Sequence, residues 1–128
     1  MNLSREIIKF KIQHIEGPNI MIGHYLTDGD YQIAVTCDDE GFRFSEFNTG
    51  HLIKKINIDL ITYLMCDDYE KTSKSILYIY KHYVKPIITK NEKEYFEQVE
   101  ANEKINHEPI YLGKLEDLDI SKIDWEDE

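Results

Sequence analysis

Two copies of one triplet hold both thiols of the chain, each beside a pair of carboxylates. "TCDDEG" spans Thr36 to Gly41 and "MCDDYE" spans Met65 to Glu70. Together they bring two thiols and four carboxylates, the raw material of a divided metal site. Thiolate is a soft ligand and carboxylate a hard one, a mixture that no common metal strongly prefers. No C-x-x-C pair accompanies Cys37 and Cys66, the only cysteines. We therefore expect no metal and no cofactor. The neighbouring carboxylates would raise a thiol pKa rather than lower it, which argues against a cysteine nucleophile. Each triplet also has a structural reading. Cys37 closes an apolar face, Asp38, Asp39 and Glu40 form an acidic turn, and Asp67 stands as the N-cap of a helix whose first turn carries Asp68 and Glu70.

The remaining residues add no catalytic frame. His14, His24, His51, His82 and His107 are scattered, and His107-Glu108 belongs to no H-E-x-x-H helix. The six glycines are isolated singletons that suit turns, not a phosphate cradle. We expect no enzyme.

Charge is the stronger signal. The chain has 15 basic and 25 acidic residues, a net charge of −10. Residues 1–50 contribute −4 (4 basic, 8 acidic), residues 51–100 cancel (8 and 8), and residues 101–128 contribute −6 (3 and 9). This balance repels nucleic acid and anionic membrane and favours a basic protein partner. Its plain alternative is an acidic surface that only confers solubility. The tail "LEDLDISKIDWEDE" alternates apolar residues with acids and carries the single tryptophan. Such a segment fits a basic, partly apolar groove, with Trp125 as anchor; alternatively its apolar residues pack on the parent domain. Against the acidic total, Lys71, Lys74, Lys81 and Lys85 step round one helix face with Tyr78. That is the pattern of a single-stranded nucleic-acid platform, and equally of a solvated helix face.

These features need elements to position them. "IKFKIQ" places Ile8, Phe10 and Ile12 on one face, "IMIGHYL" follows, and Asp28-Gly29 joins it to "YQIAVTC", where Tyr31, Ile33, Val35 and Cys37 share a face. With "FRFSEF" this predicts an antiparallel meander of about four strands over about 7–47, one face buried. Helices are predicted at about 52–65, 68–85 and 92–104. A strand through "INIDLI" competes with the first. Pro86 ends the second, and Asn91 caps the third with Glu94 in capping-box position. "IYLG" returns to the sheet, and 114–128 is the acidic-apolar tail. The whole, 1–128, reads as one α+β domain. Its first residues lack the apolar core of a signal peptide and no run is long enough to span a bilayer, so we expect a cytoplasmic protein.

A small, acidic, cysteine-poor α+β chain without catalytic motifs resembles bacterial immunity proteins, the partners of contact-dependent-inhibition and other polymorphic toxins. The resemblance is one of type, spans the whole chain and carries no motif. It implies a protein that binds one cognate toxin, usually a nuclease, and blocks its active site or substrate groove. The surfaces available for that are Asp38, Asp39 and Glu40; Asp67, Asp68 and Glu70; and Asp117, Asp119, Asp124, Trp125, Glu126 and Asp127. The competing readings are an acidic mimic of nucleic acid and a protein-interaction or regulatory module without inhibitory action.

Overall fold

The computed structural model describes residues 1–14, 17–38, 41–57, 69–123 and 125. Among them are seven strands: β1 (Asn2–Leu3), β2 (Glu6–His14), β3 (Gly17–Asp28), β4 (Tyr31–Asp38), β5 (Gly41–Glu46), β6 (Leu52–Ile56) and β7 (Ile110–Lys114). They pair antiparallel in the order β6-β5-β4-β3-β2-β7, with β1 on β3. Helix α1 (Tyr69–Ile79) runs through a π turn (Tyr80–Val84) into α2 (Lys85–Lys90), and α3 (Glu92–Ala101) follows. The class is α+β as expected. The meander of about four strands is β2 to β5; β1, β6 and β7 extend it.

Gly29, at φ +60°, gives the Asp28–Tyr31 hairpin the left-handed backbone its turn needs. The sheet's shape is set by β3. Up to Gly23 it pairs with β2, and from His24 with β4. At that change of partner a Cβ on Gly23 would overlap the Val35 carbonyl oxygen, so only glycine lets the strands approach. The sheet curls until the far end of β2 returns to the segment after β5: Gln13 N–H donates to the Gly50 carbonyl at 2.9 Å. Asn106 locks this closure. Its Oδ1 accepts from Lys11 N–H (2.9 Å), and its Nδ2 donates to the carbonyls of Lys11 and Phe47 (2.7 Å each).

The curl makes two cores. On the helix side Leu26, Tyr31, Ile33, Val35, Phe42 and Phe44 meet Ile76, Ile79, Tyr80, Val84 and Ile88. Inside the curl Ile8, Phe10 and Ile12 pack on Ala34 and Phe47. The expectation of a single buried face is thereby corrected: Ala34 and Thr36, set opposite the Ile33–Val35 face by strand alternation, are also buried.

Three helix expectations change. The segment predicted as helix 52–65 begins as strand: Leu52–Ile56 pairs with β5, Phe42 opposite Ile56. The spacing of Leu52, Ile53 and Ile56 suits either period, and pairing with an open sheet edge decides it. Residues 58–65 lie outside the described residues, as does the strand alternative beyond Asn57. Secondly, Pro86 does not end the helix. Lys85 N–H donates to the Tyr80 carbonyl, one residue further back than in an α-helix. This π register resets the helix, so Pro86 enters near the start of α2, where no N–H is required. Thirdly, Asn91 precedes α3 but makes no side-chain cap; its Nδ2 donates backwards to the Ile87 carbonyl at 3.1 Å. β7 confirms the return of "IYLG" to the sheet, on β2.

Candidate partner-binding site

The short segment from Leu3 to Glu6, between β1 and β2, ties together elements far apart in sequence. Ser4 Oγ accepts from Tyr25 N–H at 2.8 Å and donates to the Glu6 carbonyl at 2.8 Å, which fixes the segment on β3. The Leu3 carbonyl accepts from Tyr69 Oη at 2.9 Å, at the first residue of α1. The Arg5 guanidinium lies 5.1 Å from the centre of the Tyr69 ring and 3.9 Å from Glu116 Oε1. Both partners of that ion pair are 55% exposed, so it contributes under about 1 kcal/mol. Its importance is positional: it sets the start of the acidic tail beside the start of α1. His24 lies beneath, fully buried, with its ring 5.9 Å from Tyr69. Burial lowers its pKa, and its Nδ1 meets the Ser4 carbonyl at 3.0 Å, which suits a neutral ring donating from that nitrogen.

Arg5 thus contacts the residue before Glu70 and the residue before Asp117, one from each of two expected acidic segments. Glu70 is exposed in the first turn of α1. Asp117 closes a 3-10 turn, Leu115–Asp117, and is exposed. Asp119 is exposed and doubles as a cap. Its Oδ1 accepts from Ser121 N–H (3.1 Å) and Ser121 Oγ (2.6 Å), ahead of the 3-10 turn Ile120–Lys122. Trp125 is 45% exposed. Of the third surface only Asp38 is described, and it stands further off. Asp38 ends β4, three residues past Val35, which faces His24 across the strands; three strand residues are about 10 Å. Asp39, Glu40, Asp67, Asp68, Asp124, Glu126 and Asp127 lie outside the described residues.

Sequence reasoning missed two built carboxylate sites. Asp28 Oδ2 accepts from Tyr80 Oη at 2.8 Å and pairs with Lys85 Nζ at 2.9 Å. Desolvation alone would raise the Asp28 pKa. The bonds to Lys85 and Tyr80 outweigh it and hold the carboxyl below its usual value, while burial pushes the Tyr80 phenol up. Asp-Gly signalled only a turn, and nothing in the spacing tied Asp28 to a tyrosine 52 residues on. Glu46 is 4% exposed and accepts from Thr49 N–H (2.9 Å) and Asn48 Nδ2 (3.2 Å). Burial raises its pKa, and those donors only partly offset it. Both sites fasten structure, one the helix to the hairpin, the other the Phe47–Gly50 turn to β5.

A groove of about 740 Å³ separates the β2–β3 hairpin from residues 103–110. Lys9, Lys11, Lys104 and His107 line it together with Glu103 and Glu108, so it presents no single sign of charge. Among the described residues no three His, Cys, Asp or Glu side chains converge on a point that could hold a metal ion. No described helix is long and apolar enough to cross a membrane. No protein-family model, curated protein or solved structure matches the chain.

Proposed function

We propose that this protein is an immunity-type inhibitor: a cytoplasmic, non-enzymatic partner that neutralises one cognate toxin, a basic nuclease, by covering its substrate surface. The observation that carries this reading is that Arg5 contacts both Tyr69, the chain neighbour of Glu70, and Glu116, which opens the acidic run Glu116, Asp117 and Asp119, in a chain of net charge −10. A nuclease is basic where it holds phosphates. An acidic corner on a firm sheet-and-helix base competes for that surface and steers the encounter.

The test is rescue in cells. A candidate toxin, the C-terminal domain of a large secreted protein if one is encoded immediately upstream of this gene, is expressed alone, with the wild-type chain, or with a variant carrying E70Q, E116Q, D117N and D119N. Wild type should restore growth, and the variant should lose at least about tenfold in plating efficiency while keeping its unfolding midpoint near that of wild type. Equal rescue by a folded variant would remove the acidic corner from the mechanism. A toxin that the wild-type chain does not restrain would remove the inhibitor reading itself.

A further inference from the structure

The helical arm from Tyr69 to Lys90 has the opposite charge to the rest of the molecule. It holds five lysines against Glu70 alone, a net of +4, inside a chain of −10. Lys71, Lys74, Lys81 and Lys90 have no ion-pair partner among the described residues. Between them Tyr78 is 59% and Tyr83 53% exposed, and Ile87 adds an exposed aliphatic side chain one turn beyond Tyr83. The Tyr78 ring is held in place by His82, 4.3 Å away between ring centres. This is a basic face with apolar contact points, presented outward.

The complementary surface is in the same chain. Residues 115–128 hold seven acids against Lys122, a net of −6. Among the described residues no ion pair joins the two within one molecule. The beginning of the tail is held on Arg5 and folded into two 3-10 turns, Trp125 is exposed, and among the described residues Lys71, Lys74, Lys81 and Lys90 have no ion-pair partner. The geometry points to a reciprocal dimer, in which the acidic tail of each copy lies along the α1–α2 face of the other.

Dimensions and position suit the exchange. Tyr69 to Lys90 is 22 residues, roughly 32 Å of helix, and the 11 residues after Asp117, with Ile120–Lys122 in a 3-10 turn, reach at most about 32 Å. Arg5 sets the root of the tail beside the start of α1, so a two-fold axis there brings both tails to both helices at once. Mutual repulsion of two copies at −10 is screened beyond a Debye length of about 8 Å at physiological salt, while the lysine–carboxylate contacts act inside that distance. A free polyanion fits less well. To cover this face it must pass Glu70, Glu116 and Asp117 at the head of α1, and it brings no aliphatic groups for Ile87.

Sedimentation of the full chain tests this without any toxin, so its outcome is separate from that of the inhibitor reading. In about 20 mM salt the mass should rise with concentration from 15.2 kDa towards twice that value, and return to 15.2 kDa in about 500 mM salt. The variants K71E/K74E/K81E and D117K/D124K/E126K/D127K should each sediment as monomers. Mixed together they should form a heterodimer, because both tail–helix contacts then join opposite charges. Thermal melts of each variant establish that it is folded. Monomeric wild type at low salt, or dimers that persist in K71E/K74E/K81E, would overturn the assignment. A monomer that retains a labelled oligothymidylate would reassign the face to single-stranded nucleic acid.

Discussion

At the scale of single residues, His24 and Glu46 give folding two opposed dependences on pH. His24 is buried and its pKa is depressed from 6.5, chiefly by desolvation. Below that value the unfolded chain takes up a proton that the folded chain refuses. The contribution of His24 is therefore complete above about pH 6.5 and declines as the pH falls below it. Glu46 has its carboxyl pKa raised above 4.5 by burial, so the folded state keeps the proton longer than the unfolded state does. Its contribution is present below the unfolded pKa and is lost as the pH rises through the folded one. Urea midpoints should separate the two. His24→Phe should flatten the loss of stability between about pH 7.5 and 5.5, and Glu46→Gln should gain on wild type from about pH 4 to 7.5. The reverse slopes would contradict the burial of these groups. Tyr80→Phe removes the hydroxyl bonded to Asp28, whose carboxylate keeps Lys85. The expected cost is about 1 kcal/mol, measured as a shift in unfolding midpoint at constant denaturant sensitivity.

At the scale of elements, the features legible in the sequence were those whose period is local. Ile8, Phe10 and Ile12 alternate, Asp28-Gly29 turns the chain, and the stripe through Ile76 and Tyr80 is helical; each of these is observed. What escaped depends on partners distant in the chain. Leu52–Ile56 is too short for its spacing to choose a period, and β5 chooses for it. Pro86 stops an α-helix but not one that has slipped into π register at Tyr80–Val84. The second core could not be read from β2 or β4 alone, because it exists only once β3 bends at Gly23. Two substitutions test this architecture. Gly23→Ala drives a methyl group into the Val35 carbonyl and should cost about 3 kcal/mol, the upper end for overpacking. Asn106→Ala strips three hydrogen bonds from the closure between β2 and the Phe47 turn, again about 3 kcal/mol. Urea denaturation measures both. A change below 1 kcal/mol in either would mean that the curl is held elsewhere.

At the scale of the whole molecule, charge is sorted into regions. Arg5 links Glu116, at the root of the acidic tail, to Tyr69 at the head of α1, and the helical arm that follows carries five lysines against Glu70. The excess of acid was plain in the composition. That Arg5 would bridge Tyr69 and Glu116 was not, because such contacts have no signature in sequence spacing. The thiol of Cys37 meanwhile packs at the edge of the helix-side core, so of the first Cys-Asp-Asp triplet the thiol belongs to packing and Asp38 to a strand end. The central claim, recognition of a basic toxin by Glu70, Glu116, Asp117 and Asp119, is tested most directly by stopped-flow association with the toxin domain across ionic strength. The account predicts an association rate that falls at least about tenfold between 20 and 500 mM salt, and a fall much reduced in the E70Q/E116Q/D117N/D119N variant. An association rate indifferent to salt in the wild-type chain would contradict it.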